Sequence, residues 1–132
     1  MTQKDKDLLL RDLSARLPYG FIVHRYCDNV DIKINTIDDF SHFLEYSEGK
    51  DFKPYLRLMS SMTKEERKII CSMNMLSDTE LNDRLNYPKM YAQNYTIETF
   101  DLFNAQHLDY RGLINKGLAL EAPNDMYNLK EK

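Results

Sequence analysis

The chain has 132 residues, enough for a single domain with one modest core. It is 42% hydrophobic and 30% charged, with nine Tyr, six Phe and no Trp, which is a globular composition with an ordinary mixed-charge surface. A net charge of −3 argues against nucleic-acid binding through bulk charge, because phosphate neutralisation needs clustered Lys and Arg, although a local basic patch is still compatible with it.

Further classes are excluded before any element is placed. Cys27 and Cys71 belong to no C-x-x-C pair, so no zinc knuckle is indicated, and two such cysteines suit free thiols in a reducing compartment. No apolar stretch follows Met1-Thr2-Gln3-Lys4-Asp5, so no secretory signal is expected. Three consecutive leucines form the longest aliphatic run, too short for a membrane span. The expectation is a cytoplasmic single domain over residues 1–132, with 1–3 and 124–132 as tails that fray.

The first predicted element is a helix from about Lys4 to Leu17. Leu9, Leu13 and Leu17 recur every four residues and Leu10 widens the stripe. Asp5 and Asp7 lie near its start and Arg11 and Arg16 later, which complements the helix dipole. Pro18 ends it and Gly20 frees the exit.

A hairpin follows, Phe21 to Cys27 and Val30 to Asn35, around Asp28-Asn29. A two-residue turn would pair Cys27 with Val30, Arg25 with Ile32 and Val23 with Ile34. That register gathers Phe21, Val23, Cys27, Val30, Ile32 and Ile34 on one face and His24, Tyr26, Asp31 and Lys33 on the other. From Thr36 to Gly49, Ile37, Phe40, Phe43 and Leu44 follow helical spacing. The alternation Phe40, His42, Leu44, Tyr46 would also suit a strand, and we read a helix capped by Thr36. Phe52 to Met59 is read as a third strand, with Leu56 and Leu58 on one face and Tyr55 and Arg57 on the other.

The second half reads as helical. Thr63-x-x-Glu66 and Ser77-x-x-Glu80 are capping boxes that open two helices, the second stopped by Pro88. Tyr87, Tyr91 and Tyr95 mark a Tyr-rich connection. Thr96 caps a helix whose stripe is Ile97, Phe100, Phe103 and His107. Leu118 to Leu120 could dock as a short strand or a turn. The architecture expected is α+β: a small antiparallel sheet packed against the N-terminal and C-terminal helices.

One run concentrates the chemistry. Asn104-Ala105-Gln106-His107-Leu108-Asp109-Tyr110-Arg111-Gly112-Leu113-Ile114 places an imidazole, a carboxylate, a phenol and a guanidinium within five positions. His107 would be a general base if Asp109 oriented it, but residues two apart do not share a helix face, so the helix would have to end between them. The plainer reading is a structural histidine, an Asp109–Arg111 pair that locks a turn, and Tyr110 as an amphipathic anchor. Arg111 could alternatively reach an anionic partner. A strand face with Tyr55 and Arg57, beside His24, Tyr26 and Lys33, offers a second contact surface, for protein or for single-stranded nucleic acid. Neither a G-x-S-x-G elbow, a metal-ligand cluster nor a glycine-rich phosphate loop is present. The binding candidates are therefore Tyr55, Arg57, His107, Asp109, Tyr110 and Arg111, with no catalytic residue, metal or other cofactor assigned.

Several segments are distinctive as strings: Lys53-Pro54-Tyr55-Leu56-Arg57-Leu58-Met59-Ser60-Ser61-Met62-Thr63, Asn104 through Ile114, and Lys116-Gly117-Leu118-Ala119-Leu120-Glu121-Ala122-Pro123 with Met126-Tyr127. Together with Leu8-Leu9-Leu10-Arg11-Asp12-Leu13 and Ala15-Arg16-Leu17-Pro18-Tyr19-Gly20, they resemble a family of small uncharacterised proteins of gut anaerobic bacteria, their prophages and mobile elements. In that family position 106 is often a second histidine and position 58 often a proline. Gln106 and Leu58 here depart from it, which argues against an adjacent-histidine metal site. The resemblance implies a phage or mobile-element context and no reaction. The reading that follows is a non-enzymatic interaction module whose partner is another protein. Nucleic-acid binding through the sheet face is the alternative, and a hydrolase centred on His107 and Asp109 the third.

Overall fold

The computed structural model describes residues 2–47, 52–87 and 95–127. The expected stop at Pro88, the linker tyrosine Tyr91, Gly49 and the end of the chain from 128 onward lie outside the described residues.

Helix α1 runs Gln3–Arg16. Thr2 caps it, its side chain accepting from the Asp5 amide while the Asp5 carboxylate returns to the Thr2 amide, so two orphan donors of the first turn are satisfied. Pro18 sits in a short 3-10 turn, Leu17–Tyr19, and Gly20 leaves it at φ 77°. A Cβ on Gly20 would lie 3.4 Å from that of Asn35, so chain direction and close packing both favour glycine there.

Strands β1 (Phe21–Arg25) and β2 (Val30–Ile34) form the expected hairpin in a different register. Arg25 pairs with Val30, Val23 with Ile32 and Phe21 with Ile34. The turn is therefore Tyr26–Asn29 rather than Asp28-Asn29 alone. Two interactions account for it. Arg25 donates to both Asp28 carboxylate oxygens, at 2.8 and 2.6 Å, and Asn29 takes the left-handed conformation at φ 54°. The slip is an even one, so Phe21, Val23 and Ile34 stay inside, whereas Cys27 and Val30 move to the exposed end of the hairpin.

Helix α2 spans Ile37–Ser47, with the Thr36 hydroxyl accepting from the Asp39 amide. Strand β3, Phe52–Leu56, is shorter than expected and runs antiparallel to β1. The sheet is mixed. Leu120–Glu121 forms β4 and lies parallel to β3, giving the order β2-β1-β3-β4. The fully antiparallel sheet is thus corrected: the chain passes through the 106–119 segment before reaching the β3 edge, and it arrives in the same direction as β3.

Helices α3 (Lys64–Asn74) and α4 (Asp78–Asn86) open on the two capping boxes. Helix α5, Ile97–Ala105, is capped by Thr96. Asn74 ties α3 to α5, donating to the Ile70 carbonyl and the Thr99 hydroxyl and accepting from the Thr96 amide. The class is α+β, as the sequence implies. No helix among the described residues is long and apolar enough to cross a membrane.

The interior divides into two apolar clusters. One joins α1 to the inner sheet face through Leu9, Leu13, Phe21, Val23, Ile34, Leu56 and Leu113. The other joins α3, α4 and α5 through Met62, Ile70, Leu81, Phe103 and Leu108. Leu108 and Leu113 belong to different clusters, so the polar run 104–114 crosses from one core to the other.

Candidate functional site: the seam between the two cores and its cleft

Helix α5 does not carry His107. The Leu108 amide donates to the Phe103 carbonyl and the His107 amide to that of Asn104, which closes the helix with His107 at φ 63°. This is a Schellman-type end, with histidine in the left-handed position that glycine usually fills. The expected stripe ending in His107 is corrected accordingly. The imidazole lies flat on the Tyr127 ring, 3.6 Å between centroids and 13° between planes.

Asp109 is buried and does not orient His107. Its two carboxylate oxygens accept from the Leu113 amide at 2.8 Å and the Ile114 amide at 2.9 Å. Burial pushes its carboxyl above the usual range, against the pull of those two amides and the nearby Arg16 guanidinium. The dyad that a hydrolase would need is absent from the geometry, because the carboxylate folds a turn instead.

Arg57 is the second correction. It does not share an exposed face with Tyr55; its side chain is 6% exposed. Its guanidinium donates to both Glu66 oxygens at 2.8 Å and to the carbonyls of Ser61 and Gln106. Its backbone forms a parallel bridge to Leu108: the Arg57 amide donates to the His107 carbonyl and its carbonyl accepts from the Asp109 amide. Burial raises the Glu66 carboxyl, but Arg57 and the Thr63 amide outweigh that and hold it below the usual range. Glu66 therefore both completes a capping box and pairs a buried arginine.

On the α1 side, Arg16 and Asp12 are both fully buried. Arg16 donates through Nε to Asp12 at 2.7 Å and through Nη2 to the Leu108 carbonyl at 2.7 Å. Its Nη1 has no hydrogen-bond partner among the described residues, and the guanidinium lies 5.4 Å from the Tyr110 ring centroid. Arg111 does not pair with Asp109, as a turn lock would require. It donates instead to Asp12 at 3.1 Å and to the Tyr110 hydroxyl at 3.1 Å, and that hydroxyl donates on to Asn104. Asp12 is shared by two arginines.

Tyr55 lies elsewhere, on the outer sheet face. Its hydroxyl donates to Asp31 at 2.9 Å, and His24 meets the same carboxylate at 2.8 Å. The His24 contact is the main cause that holds the Asp31 carboxyl low. An acid thus sits on the face on which nucleic acid would stack, between the Tyr55 and His24 side chains, and Arg57 does not reach that face. Both features oppose phosphate binding there.

Of the six candidates, Asp109, Tyr110 and Arg111 come together with a concave surface. A cleft of about 990 Å³ lies between α1, the 58–60 segment, the end of α4, helix α5 and the 109–116 segment. Leu58, Met59, Leu85, Phe100 and Tyr110 give it apolar walls, and Arg84, Arg111 and Lys116 also line it. Arg84 lies 5.2 Å from the Tyr95 ring centroid and Arg111 5.0 Å from that of Tyr110. Sequence reasoning missed Asp12, Arg16, Glu66 and Tyr127 as members of this network. One signal was present: Leu9, Asp12, Leu13 and Arg16 follow i, i+3, i+4, i+7 spacing, which places two charges on the buried stripe. Comparison with protein-family models, with curated proteins and with solved structures returns no match for this chain.

Proposed function

We propose that this chain is a non-enzymatic interaction module, an accessory protein of phage or mobile-element type that acts in the cytoplasm by binding another protein through the cleft beside Tyr110 and Arg111. One observation carries the reading. The polar side chains of Asn104, Asp109, Tyr110 and Arg111 are engaged within the fold, whereas the cleft beside them has apolar walls and three cationic residues. Its volume reaches the upper end of the range that ligand sites occupy, roughly 300–1,000 Å³. Aromatic, Met and Arg side chains are the types enriched in protein interfaces, and Met59, Tyr95, Phe100, Tyr110 and Arg111 are of those types. The contact region moves from the Tyr55–Arg57 strand to the cleft, because Arg57 is a buried brace.

Photo-crosslinking in the source cells tests the reading. A benzophenone side chain at Ser60, beside the cleft, is expected to trap one discrete protein, and the same group at Lys33 on β2 is expected not to. Equal labelling from both positions, or none from Ser60, would refute it.

A further inference from the structure

Resting on that reading, we infer that the cleft takes an acidic segment of its partner, with a large apolar side chain on the cleft walls and carboxylates against Arg84, Arg111 and Lys116.

The argument is one of charge within a chain of the opposite sign. The protein carries a net charge of −3, yet three cationic residues line this one concavity. Among the described residues that line it, the one carboxylate, Asp109, is turned to the Leu113 and Ile114 amides and lies near Arg16. A ligand carboxylate would thus approach guanidinium and ammonium groups, with the Asp109 carboxylate already compensated by backbone donors. Arg111 is held ready: Asp12 takes its Nε and Tyr110 its Nη2, and its side chain keeps 22% exposure. A guanidinium fixed in this way gives up little rotamer freedom when it meets a carboxylate.

The walls supply the second requirement. Leu58, Met59, Leu85 and Phe100 offer apolar surface to an anchoring Leu or Phe, and Met59 adapts its shape to what it meets. An apolar anchor surrounded by charged contacts is the arrangement of a specific interface, in which the anchor supplies affinity and the charges supply steering and register. A polyanion such as RNA fits less well, since its phosphates would face the apolar walls of Leu58, Met59 and Leu85.

The test uses the full-length protein and a peptide array in which Leu or Phe is flanked either by Asp and Glu or by Lys and Arg. Acidic members are expected to bind, with amide NMR shifts at Lys116, Arg111 and Phe100, and basic members are expected not to. The variant Arg84→Glu/Lys116→Glu is expected to weaken the acidic peptides at least tenfold with an unchanged fold by circular dichroism, and Lys33→Glu is expected to leave them alone. Preference for basic peptides, binding indifferent to Arg84→Glu/Lys116→Glu, or shifts confined to the outer sheet face would overturn the inference. Single-stranded RNA that displaces the acidic peptides and binds more tightly would also overturn it. If Ser60 still traps a discrete partner while the array shows no acidic preference, the module reading survives and only the chemistry assigned to its partner fails.

Discussion

The Tyr127 hydroxyl stands between Ile22 and Tyr55, accepting from the amide of the first at 3.2 Å and donating to the carbonyl of the second at 2.7 Å. Strands β1 and β3 pair from Arg25↔Phe52 to Val23↔Pro54. Continued by one step, that register would set Ile22 opposite Tyr55. The strands part at this point, because β3 turns to pair with β4 and with Leu108, and the phenol bridges the backbone groups that the parting would strand. Burial pushes the Tyr127 hydroxyl up to about 12, so it stays a donor throughout the physiological range.

Tyr127→Phe removes the bridge and keeps the ring on His107. It is expected to cost about 1–2 kcal/mol in urea unfolding, since two part-buried backbone groups lose their partner. It should also speed hydrogen exchange at the Ile22 amide selectively. Unchanged exchange at Ile22 would show that the bridge contributes nothing.

His107 pairs an unfavourable backbone with a favourable stack. Left-handed φ costs an L-residue roughly 1–2 kcal/mol, which glycine escapes. His107→Ala loses the Tyr127 stack and keeps the strain, whereas His107→Gly loses the stack and relieves it. His107→Gly is therefore expected to be more stable than His107→Ala by about 1 kcal/mol in urea unfolding. The reverse order would mean that the αL position is not retained.

The buried pair Arg57–Glu66 is expected to be costly to break. Glu66→Gln should lose about 3 kcal/mol at neutral pH, because Arg57 would then keep an uncompensated buried charge. The pH dependence has a definite sign. A carboxyl whose folded pKa lies below its unfolded value contributes stability that is complete above the unfolded value and is lost as pH falls through the folded one. Urea titrations from pH 7 down to pH 3 should show a shallower acid loss in Glu66→Gln than in the wild type.

Asp109 works in the opposite direction. Its carboxyl is raised by burial, so the folded state holds the proton more tightly, and stability falls as pH rises from the unfolded value of 3.8 through the folded value. Asp109→Asn removes that slope. The amide also keeps an acceptor for only one of the Leu113 and Ile114 amides. The expected result is a flatter profile in that window, with a net loss of about 1–3 kcal/mol at neutral pH. A variant as stable as the wild type at pH 7 would show that the buried charge cancels the turn bonds.

Much of the fold was legible because its local signals are strong. The two capping boxes at Thr63 and Ser77 and the Thr96 cap each open a helix, and the even slip of the hairpin left the inward face of Phe21, Val23 and Ile34 intact. The turn itself was misread because the Arg25–Asp28 clamp, a side-chain interaction, selects a longer loop than the Asp28-Asn29 dipeptide suggests. The end of α5 was hidden because histidine fills a glycine position. The short strand or turn read at Leu118 to Leu120 is met by β4 at Leu120–Glu121, but its parallel pairing was hidden, since the direction of a two-residue edge strand depends on where the chain returns.

The site was legible as a run and illegible as a network. The brace role of Asn104–Ile114 depends on Asp12, Arg16, Arg57 and Glu66, which are remote in sequence and meet it only in the fold. Arg57 lies one residue past β3, where the alternation of Phe52–Leu56 ends: Leu56 and Arg57 are both buried, and a strand pattern gives no sign of what covers the second. The Leu108 segment runs beside Arg57, and Glu66 awaits its guanidinium. Tyr127 fell in a segment expected to fray, and its two hydrogen bonds hold that segment against the sheet.

Native-state hydrogen exchange at the Leu113 and Ile114 amides tests most directly whether the polar run braces the junction of the two cores. Both amides donate to the buried Asp109 carboxylate. The account predicts that they exchange only with global unfolding, at a free energy equal to that from urea titration, and that Asp109→Ala frees them at once. Exchange in the wild type at the rate of an exposed loop would contradict it.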